Sequence, residues 1–418
     1  MLEMKKIWIL NQYAVPPSMP GGTRHFDLAK ELVRKGYEVT VFASGNPTGK
    51  DTQLDTSEAY KEENIEGVKF IWLRTLPYRK NNWRRVLNML SFAFRAVRTG
   101  SRLKTTPDII VGSSVHLFAG LAGYVLARKK KARFIFEVRD LWPQVLIDTG
   151  NYSRRDLRIR LMKLLERFLY QKAEKIISVA PEGARYITKL GIPGNKIIYI
   201  PNGVNLDSFI DVDMHFPKVL EVVLASLKGQ NKLLVGYTGA HSVSNNVETL
   251  LKAARIVQEQ GLSGLHFLFV GEGTEKATLV SRASQWKLTN VTFVDPLPNS
   301  VIPSLLHQLD AAVMIFKRSN VYKYGVSPNK LFAYMASAIP VAFAVESPND
   351  PVAESQCGLS VPPEEPQALA EAIIKLYQTP SEEREAMGRR GREYVKRYHS
   401  IPVLADKLIE CIEQVAKQ

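Results

Sequence analysis

A lysine near the start of a helix is the most informative charged residue in the second half of the chain. Ser327-Pro328-Asn329-Lys330 precedes the apolar stretch Leu331–Ser337, and this order predicts a helix that begins at the proline. Because the first turn of a helix leaves backbone N–H groups free, a cation there is unfavourable unless an anion binds beside it. We therefore expect Asn329 and Lys330 to bind phosphate. Arg318, which follows a predicted strand, is a further candidate.

Glycine turns follow two predicted strands of the same half. The turns are Gly239-Ala240-His241 and Gly271-Glu272-Gly273, and each precedes a predicted helix. Backbone N–H groups in such turns can cradle a diphosphate. We expect Gly239, His241, Gly271 and Gly273 to do so, with close helix packing as the alternative explanation of either glycine.

The first half has one comparable turn. Gly21-Gly22-Thr23 follows the first predicted strand and opens a helix, so Gly22 is a further candidate for the approach of a phosphate or a sugar. The turn is neither G-x-G-x-x-G nor a Walker A loop, which argues against a dehydrogenase or an ATPase.

Two residues of the first half are candidates for acid–base chemistry. His116 follows the fourth predicted strand and Asp140 ends the fifth, and both positions lie at the carboxyl edge of a parallel sheet. The alternatives are a helix-capping histidine and an ion pair of Asp140 with Arg139. A metal site is not expected, because Asp211-Val212-Asp213 has no strand end to fix it and resembles a metal motif by chance.

These residues need sheets to position them. The first half alternates apolar, β-branched runs with helical patterns. The runs are 6–13, 38–44, 68–74, 108–114, 133–140, 175–180 and 196–200; the helical patterns include 23–35, 117–130 and 157–172. The second half repeats the scheme, with strands expected at 233–239, 265–271, 291–294, 311–316 and 340–345 and helices at 247–260, 275–286, 328–337 and 366–377. Such alternation predicts parallel sheets covered by helices.

The chain is therefore expected to form two doubly wound α/β domains facing a central cleft, with ligands at the carboxyl ends of the strands. We expect a first domain over residues 1–205, a linker over 206–232, a phosphate-binding domain over 233–395 and a C-terminal helix over 396–418. That helix could cross back to the first domain.

The net charge of +15 is confined to the first half. Residues 1–200 contain 35 Lys and Arg against 18 Asp and Glu, whereas the remainder contain 21 against 23. Residues 75–107 have no acidic side chain and carry an apolar repeat at 4,3,4,3 spacing, made by Trp83, Leu87, Leu90, Phe94 and Val97. This pattern predicts a basic amphipathic helix.

Such a helix could lie on an anionic membrane surface through Arg84, Arg85, Arg95 and Arg98, or it could pack on its own domain with a solvated basic face. Nucleic acid is not expected as a partner, since no zinc finger, RNP-type motif or basic tail accompanies the charge.

No signal core or spanning stretch is evident, and Cys357 and Cys411 match no metal or disulfide pattern. We expect a cytoplasmic protein whose contact with the cell membrane, if any, is peripheral.

Several motifs together resemble the family-four retaining glycosyltransferases of bacterial surface-polysaccharide assembly. They are Asn11-Gln12-Tyr13, Gly22-Thr23-Arg24-His25, Arg139-Asp140-Leu141-Trp142-Pro143-Gln144, Ile200-Pro201-Asn202-Gly203-Val204, Tyr237-Thr238-Gly239-Ala240-His241, Val270-Gly271-Glu272-Gly273, 324–332 and Met387-Gly388. The similarity covers nearly the whole chain and is closest to the branch that includes fucosamine transferases of O-antigen and capsule synthesis.

The resemblance implies a GT-B fold and a reaction that needs no metal or other cofactor. It also implies a UDP-linked N-acetylated amino sugar as the donor, bound mainly by the second domain. The acceptor would be a polyprenyl-diphosphate-linked saccharide, bound by the first domain. A non-catalytic binding protein on the same scaffold and a nucleotide-sugar 2-epimerase are the alternatives.

This sequence departs from the family at two positions. The family places glutamates eight residues apart, the second of them on the donor ribose, and here the two positions are Gly325 and Ala333. We therefore expect the ribose hydroxyls to be held in another way, or the donor to bind less tightly.

Overall fold

The computed structural model describes residues 5–19, 21–46, 58–78, 83–114, 116–150, 152–210 and 216–417. The motif at Asp211 and Asp213 lies outside these residues. Two compact units are present. Unit 1 comprises residues 1–202, 323–327 and 401–418, and unit 2 comprises residues 203–322 and 328–400.

The strands form one sheet in each unit. They are β1 (Lys6–Leu10), β2 (Glu38–Ser44), β3 (Tyr60–Ile65), β4 (Val68–Leu73), β5 (Ile109–Ser114), β6 (Arg133–Val138), β7 (Lys175–Ser178), β8 (Ile197–Tyr199), β9 (Leu233–Thr238), β10 (Leu265–Val270), β11 (Val291–Val294), β12 (Ala311–Ile315), β13 (Val341–Ala344) and β14 (Gly358–Ser360).

The helices cover the faces of these sheets. They are α1 (Arg24–Arg34), α2 (Trp83–Arg102), α3 (Leu117–Lys130), α4 (Gln144–Asp148), α5 (Leu157–Lys172), α6 (Gly183–Thr188), α7 (Lys218–Gly229), α8 (Val247–Glu259), α9 (Lys276–Gln285), α10 (Ile302–Leu306), α11 (Asn329–Ala336), α12 (Pro351–Ser355), α13 (Pro366–Gln378), α14 (Ser381–Tyr398) and α15 (Ile401–Ala416).

Both sheets have the Rossmann strand order. In unit 1 the order is β3-β4-β2-β1-β5-β6-β7-β8, and in unit 2 it is β11-β10-β9-β12-β13-β14. The pairs are parallel except β3 with β4. In each sheet the order reverses beside the first strand, at β1/β5 and at β9/β12, which is where doubly wound sheets bind ligands. The predicted α/β class with two Rossmann-like sheets is confirmed.

The helices of unit 1 form a layer on each face of the sheet. Phe26 and Leu32 of α1 share one core cluster with Leu404 and Ile412 of α15. The opposite face contains a second cluster to which α2, α3 and α5 contribute. Helices α2, α3 and α5 connect β4 to β5, β5 to β6 and β6 to β7, and each connection runs the same way along the sheet. Because such crossovers are right-handed, the three helices must lie on the same face.

The face of helix α2 that packs on its own unit is not the one that the apolar repeat marks. Its buried face is made by Asn88, Met89, Phe92, Ala96, Thr99 and Gly100. Trp83, Leu87, Leu90 and Phe94 of the apolar repeat are instead exposed to solvent. The helix therefore packs on its own unit, as one of the two alternatives expected, but it does so mainly through a face other than the apolar repeat.

Other details also differ from the sequence-based expectations. The stretch 206–232, expected to be an irregular linker, contains α7. Strand β3 was missed because its YKEENI sequence is polar, and it joins β4 through Glu66 and Gly67, both with positive φ. The C-terminal segment breaks at His399–Ser400 into α14 and α15, and α15 packs on α1 within unit 1.

Within the described ranges no helix is long and apolar enough to cross a membrane. No group of three His, Cys, Asp or Glu side chains in those ranges could hold a metal ion. Both cysteines are buried and free.

Candidate functional site

The glycine turns of unit 2 fit into each other at the carboxyl ends of β9 and β10. A Cβ added to Gly271 would lie 1.9 Å from the carbonyl oxygen of Gly239, and one added to Gly273 would lie 2.2 Å from that of His241. The backbone N–H of His241 donates to the Glu272 carbonyl over 2.9 Å. Close packing between the two loops therefore requires Gly271 and Gly273. Their backbones form one continuous surface at the switch point of the sheet.

Lys330 reaches this surface from the first turn of α11. Its Nζ lies 3.1 Å from Tyr237 Oη, 3.5 Å from Asn245 Oδ1 and 4.6 Å from the centroid of the Tyr237 ring. A Cβ at Gly239 would lie 2.7 Å from the same Nζ, so the glycine makes room for the ammonium group. None of the described carboxylates pairs with Lys330. Burial lowers its pKa to about 8.

The position of Lys330 is fixed by the next turn of the same helix. Tyr334 is fully buried, and its hydroxyl accepts a hydrogen bond from Thr238 N at 2.9 Å. The hydroxyl also donates to the Thr238 carbonyl at 3.2 Å. These two bonds tie α11 to the end of β9, which is the strand that leads into the Gly239 turn.

His241 is the second unusual side chain of this region. It is fully buried, and within the described part of the chain neither ring nitrogen has a hydrogen-bond partner. Burial, followed by the nearby Lys276, lowers its pKa to about 4, so the ring is neutral at pH 7. Buried polar atoms normally find a partner. Because His241 has no exposed area in the free protein, its unpaired N–H can meet an acceptor oxygen of a ligand only if that ligand reaches below the surface.

The other predicted residues of unit 2 are less closely grouped. Arg318 forms an exposed ion pair with Glu346 at 2.7 Å, and its backbone N–H binds Glu364. Asn329 is exposed at the start of α11, beside Lys330. Ala333 lies one turn after Lys330 and is partly buried, while Gly325 belongs to the short segment of unit 1. Among the residues that the structure describes, no contact joins Arg318 to the Lys330 site.

His116 caps a helix in unit 1. Its Nδ1 accepts the backbone N–H of Ala119 at 3.2 Å, so the ring proton is on Nε2, which faces Gln12 Oε1 at 2.7 Å. Gln12 in turn donates to Asn88. Burial, and then Arg85, lower the pKa of His116 to about 3. With both nitrogens in use, the geometry favours the capping alternative over a general base.

Asp140 and Gly22 both lie at least partly at the surface of unit 1. Asp140 is exposed after β6, where its carbonyl accepts the N–H of Trp142. Gly22 is partly buried and lies just before Thr23, the N-cap of α1. The roles expected for Asp140 and Gly22 stay predictions, since no contact in the described part of unit 1 assigns them.

The arginines of α2 separate into two groups. Arg84 and Arg98 are exposed and Arg95 is partly exposed, as expected for a surface role. Arg85 instead lies on the inner side of the helix, beside Tyr13. Arg85 therefore belongs to the polar surroundings of His116, not to the outward face of α2.

A buried ion cluster in unit 1 was missed from the sequence. The Glu137 carboxylate accepts from Arg24 Nε at 3.0 Å and from Ser113 Oγ at 2.6 Å, and it lies 2.6 Å from His25 Nε2. The remaining guanidinium nitrogens of Arg24 donate to the carbonyls of Ile200 and Pro201. Burial opposes ionisation, but His25 and Arg24 hold the pKa of Glu137 well below its usual range.

This cluster was not predicted because strand alternation alone does not say which face of β6 Glu137 occupies. A usable signal was present in Arg24-His25, two ionisable residues placed at the start of an otherwise amphipathic helix. The cluster fixes that start, directly after Gly22 and Thr23, against the middle of the sheet.

Comparisons with known proteins agree with this geometry. Residues 21–203 match the model of a glycosyl transferase 4-like domain, and residues 232–379 match that of glycosyl transferases group 1. Both halves of the chain are glycosyltransferase domains.

One relative and two solved structures are similar over most of the chain. WcaI of Escherichia coli K12, named as a colanic acid biosynthesis glycosyl transferase, is 23% identical over 89% of this chain and 90% of its own. Sucrose-phosphate synthase from Thermosynechococcus elongatus has a TM-score of 0.75 at 18% identity, covering 98% of each chain. HepE of Anabaena, in complex with UDP and glucose, has a TM-score of 0.68 at 15% identity, covering 98% and 99%. The fold is that of GT-B glycosyltransferases.

The buried cluster yields a prediction about stability. Glu137→Gln keeps the side-chain shape but leaves Arg24 as a buried charge without compensation, which typically costs about 3–5 kcal/mol. We expect a loss of this size in the free energy of unfolding, measured by urea denaturation at pH 7.

The matched control is Glu385→Gln, which removes an exposed ion pair with Arg389 and should cost about 1 kcal/mol or less. Equal effects of the two substitutions would contradict the importance assigned to the buried cluster.

Proposed function

We propose that this protein is a retaining glycosyltransferase that moves an N-acetylated amino sugar from a UDP-sugar to a lipid-linked saccharide during surface-polysaccharide synthesis. The observation that carries the proposal is Lys330, a cation that no described carboxylate pairs with, beside the glycine turns that follow β9 and β10 of unit 2. A nucleotide diphosphate supplies the missing charge.

The donor site follows from unit 2. The diphosphate lies over the turns at Gly239 and Gly271, with Lys330 Nζ on its oxygens and His241 donating one N–H. Asn329, exposed in the first turn of α11, adds a neutral polar group. The complex of HepE with UDP and glucose supports a uridine nucleotide, and WcaI supports a role in polysaccharide synthesis.

The chemistry requires stabilisation of the leaving group above all. In a front-face reaction the acceptor oxygen bonds to the anomeric carbon on the side from which the diphosphate leaves, and the hydroxyl proton passes to a diphosphate oxygen. Lys330 offsets the negative charge that develops on that diphosphate, which is typically the largest catalytic contribution of such a site. No metal is needed for this step. Asp140, exposed at the end of β6, is the candidate for orienting the acceptor hydroxyl.

Unit 1 supplies the acceptor side of the proposal. A polyprenyl-linked saccharide is anchored in a membrane, and α2 presents an apolar stripe with Arg84, Arg95 and Arg98 nearby. An amphipathic helix of this kind can lie in an anionic lipid interface. We therefore propose that unit 1 docks through α2 on the cytoplasmic face of the membrane, where the acceptor is held.

Lys330→Met tests the donor site. We expect sugar transfer to fall by about a hundredfold, in the range found when a single stabilising donor is removed from an active site. The thermal midpoint of the free protein should be unchanged or higher. The folded-state pKa of Lys330 lies below its ordinary value, so protonated Lys330 destabilises the fold at pH 7 and methionine removes that cost.

Radiolabelled transfer and differential scanning calorimetry measure the two effects, and Lys375→Met on the exposed side of α13 is the control. Unchanged transfer by Lys330→Met would contradict the phosphate role. Product formed from the donor without acceptor would indicate a 2-epimerase, and absence of UDP binding would indicate a non-catalytic binding protein.

The pKa of Lys330 predicts how donor affinity depends on pH. Because its pKa is about 8 in the free protein, Lys330 loses its charge as the pH rises through 8. A diphosphate favours the charged form, so UDP affinity should decrease between pH 7 and pH 9.5 and proton uptake should accompany binding in that range. Isothermal titration calorimetry in two buffers of different ionisation enthalpy measures both.

The same titration with Lys330→Met is the control, since the variant has no group at this position to titrate. An identical pH dependence of the variant and the natural protein would assign the effect to another group.

Ala333→Glu tests the departure at the ribose position. A glutamate one turn after Lys330 would restore the carboxylate that the family uses, and a charged hydrogen bond is typically worth about 1.5–3 kcal/mol. We expect UDP to bind about tenfold tighter or more, measured by calorimetry at pH 7. 2′,3′-Dideoxy-UDP should gain nothing from the substitution. An equal gain for both nucleotides would mean that the glutamate acts elsewhere.

A further inference from the structure

Helix α5 has an outward apolar stripe that the sequence analysis did not single out. Leu157, Leu161 and Leu164 are 67%, 57% and 67% exposed, at the spacing of one helix face. The buried face of the helix is made by Ile159, Glu166, Leu169 and Tyr170, and the Glu166 carboxylate there binds Tyr170 and Tyr186. The packing of α5 on its own unit therefore does not use the leucines.

The stripe has basic side chains on both sides. On an ideal helix Arg160 and Arg167 fall along one edge, and Arg158 and Lys172 fall along the other. Arg158 also binds Asp156, the N-cap of α5, at 2.7 Å. An apolar strip between two rows of cations is the arrangement of a helix that lies in a lipid interface.

Helices α5 and α2 belong to the same layer. Both pack on α3, and Phe92 of α2 and Leu169 of α5 lie in one core cluster on this face of the unit 1 sheet. Both helices therefore cover the same face of the sheet, and their outer sides point away from it. Trp83 and Phe94 of α2 are 64% and 66% exposed, as the leucines of α5 are.

The charge of this layer is of one sign. The three helices α2, α3 and α5 contain 13 Lys and Arg and a single acidic residue, Glu166, which is buried. An anionic lipid surface complements both properties, because it takes up apolar tips without needing a matching shape and attracts each cation near it. An acidic protein would also match the charge, but its surface would have to be complementary in shape to two separate apolar stripes.

We propose that α5 is a second membrane-binding element, and that α2 and α5 together seat unit 1 on an anionic bilayer through their two apolar stripes. The inference rests on the membrane association proposed above for α2 and extends it to a defined face of the unit. Two contact lines fix the orientation of unit 1 on the membrane, whereas one helix would leave it free to rotate about its axis.

Vesicle sedimentation of the full chain tests the inference without any sugar transfer, so its result is independent of the enzymatic proposal. The vesicles are phosphatidylcholine, with or without phosphatidylglycerol. The α5 variant is Leu157→Ser, Leu161→Ser and Leu164→Ser, and the α2 variant is Trp83→Ser, Leu90→Ser and Phe94→Ser. The matched control is Val219→Ser with Val222→Ser, two exposed apolar residues of α7 in unit 2.

We expect the natural protein to prefer the anionic vesicles and to release them as salt rises. The α5 and α2 variants should each bind about tenfold more weakly or worse, since each loses three apolar insertions, while the control binds as the natural protein does. Arg160→Gln with Arg167→Gln should lose part of the preference for anionic lipid. That second variant leaves the apolar stripe intact and tests the same helix if the triple variant fails to fold.

Three outcomes overturn the inference. If the leucine and the arginine variants of α5 both bound vesicles as tightly as the natural protein, while the α2 variant bound more weakly, α5 would have no part in membrane binding. The proposal for α2 would then stand. Natural binding by all variants would remove both helices from membrane association. Failure of the natural protein to bind anionic vesicles would remove the membrane altogether and point to an acidic protein partner for this face.

Discussion

The ligand-binding edge of unit 2 is organised around a cation, Lys330, that is held in place with no opposing carboxylate among the described residues. Lys330 is brought to the Gly239 turn by the helix it opens, and Tyr334 locks that helix to Thr238 through two hydrogen bonds. The glycines allow the approach, because a side chain at 239 would collide with the ammonium group and one at 271 would collide with the neighbouring loop. Burial of the charge costs stability. An anion bound at this ligand-binding edge of the Rossmann sheet, as proposed, would offset that cost.

In unit 1, by contrast, a buried cation is paired within the protein. At the equivalent region of its sheet the buried Arg24 is fully compensated, by Glu137 and by the carbonyls of Ile200 and Pro201. His116 likewise uses both ring nitrogens within the protein. His241 of unit 2 uses neither among the described residues. The contrast that supports placing the diphosphate on unit 2 is between two cations: Arg24 is paired with Glu137, whereas Lys330 has no carboxylate partner among the described residues.

The sequence predicted the sheets well, because buried parallel strands such as β9 and β10 are continuous apolar runs bounded by glycine turns. It also made Lys330 a candidate phosphate ligand, since the rule about charges in a first helical turn is local, and that role stays a prediction. It did not predict Glu137, because Arg24 and His25, the two basic partners of that carboxylate, lie more than a hundred positions away along the chain. Long-range ion pairs leave no local pattern. Strand β3 was missed for a related reason, since only its pairing with β4 makes a polar hexapeptide a strand.

Helix α2 shows the limit of periodicity as evidence. A repeat of apolar residues identifies a face of the helix, but it does not say whether that face meets the core or the solvent. In α2 and α5 the core is reached by a different face, in which small residues such as Ala96 or a buried pair such as Glu166 and Tyr170 allow close packing. Most of the apolar repeat is then exposed to solvent. Leaving several large apolar side chains exposed on one basic layer is costly for an isolated protein, and a lipid surface is the surrounding in which both the charge and the apolar stripes are favourable.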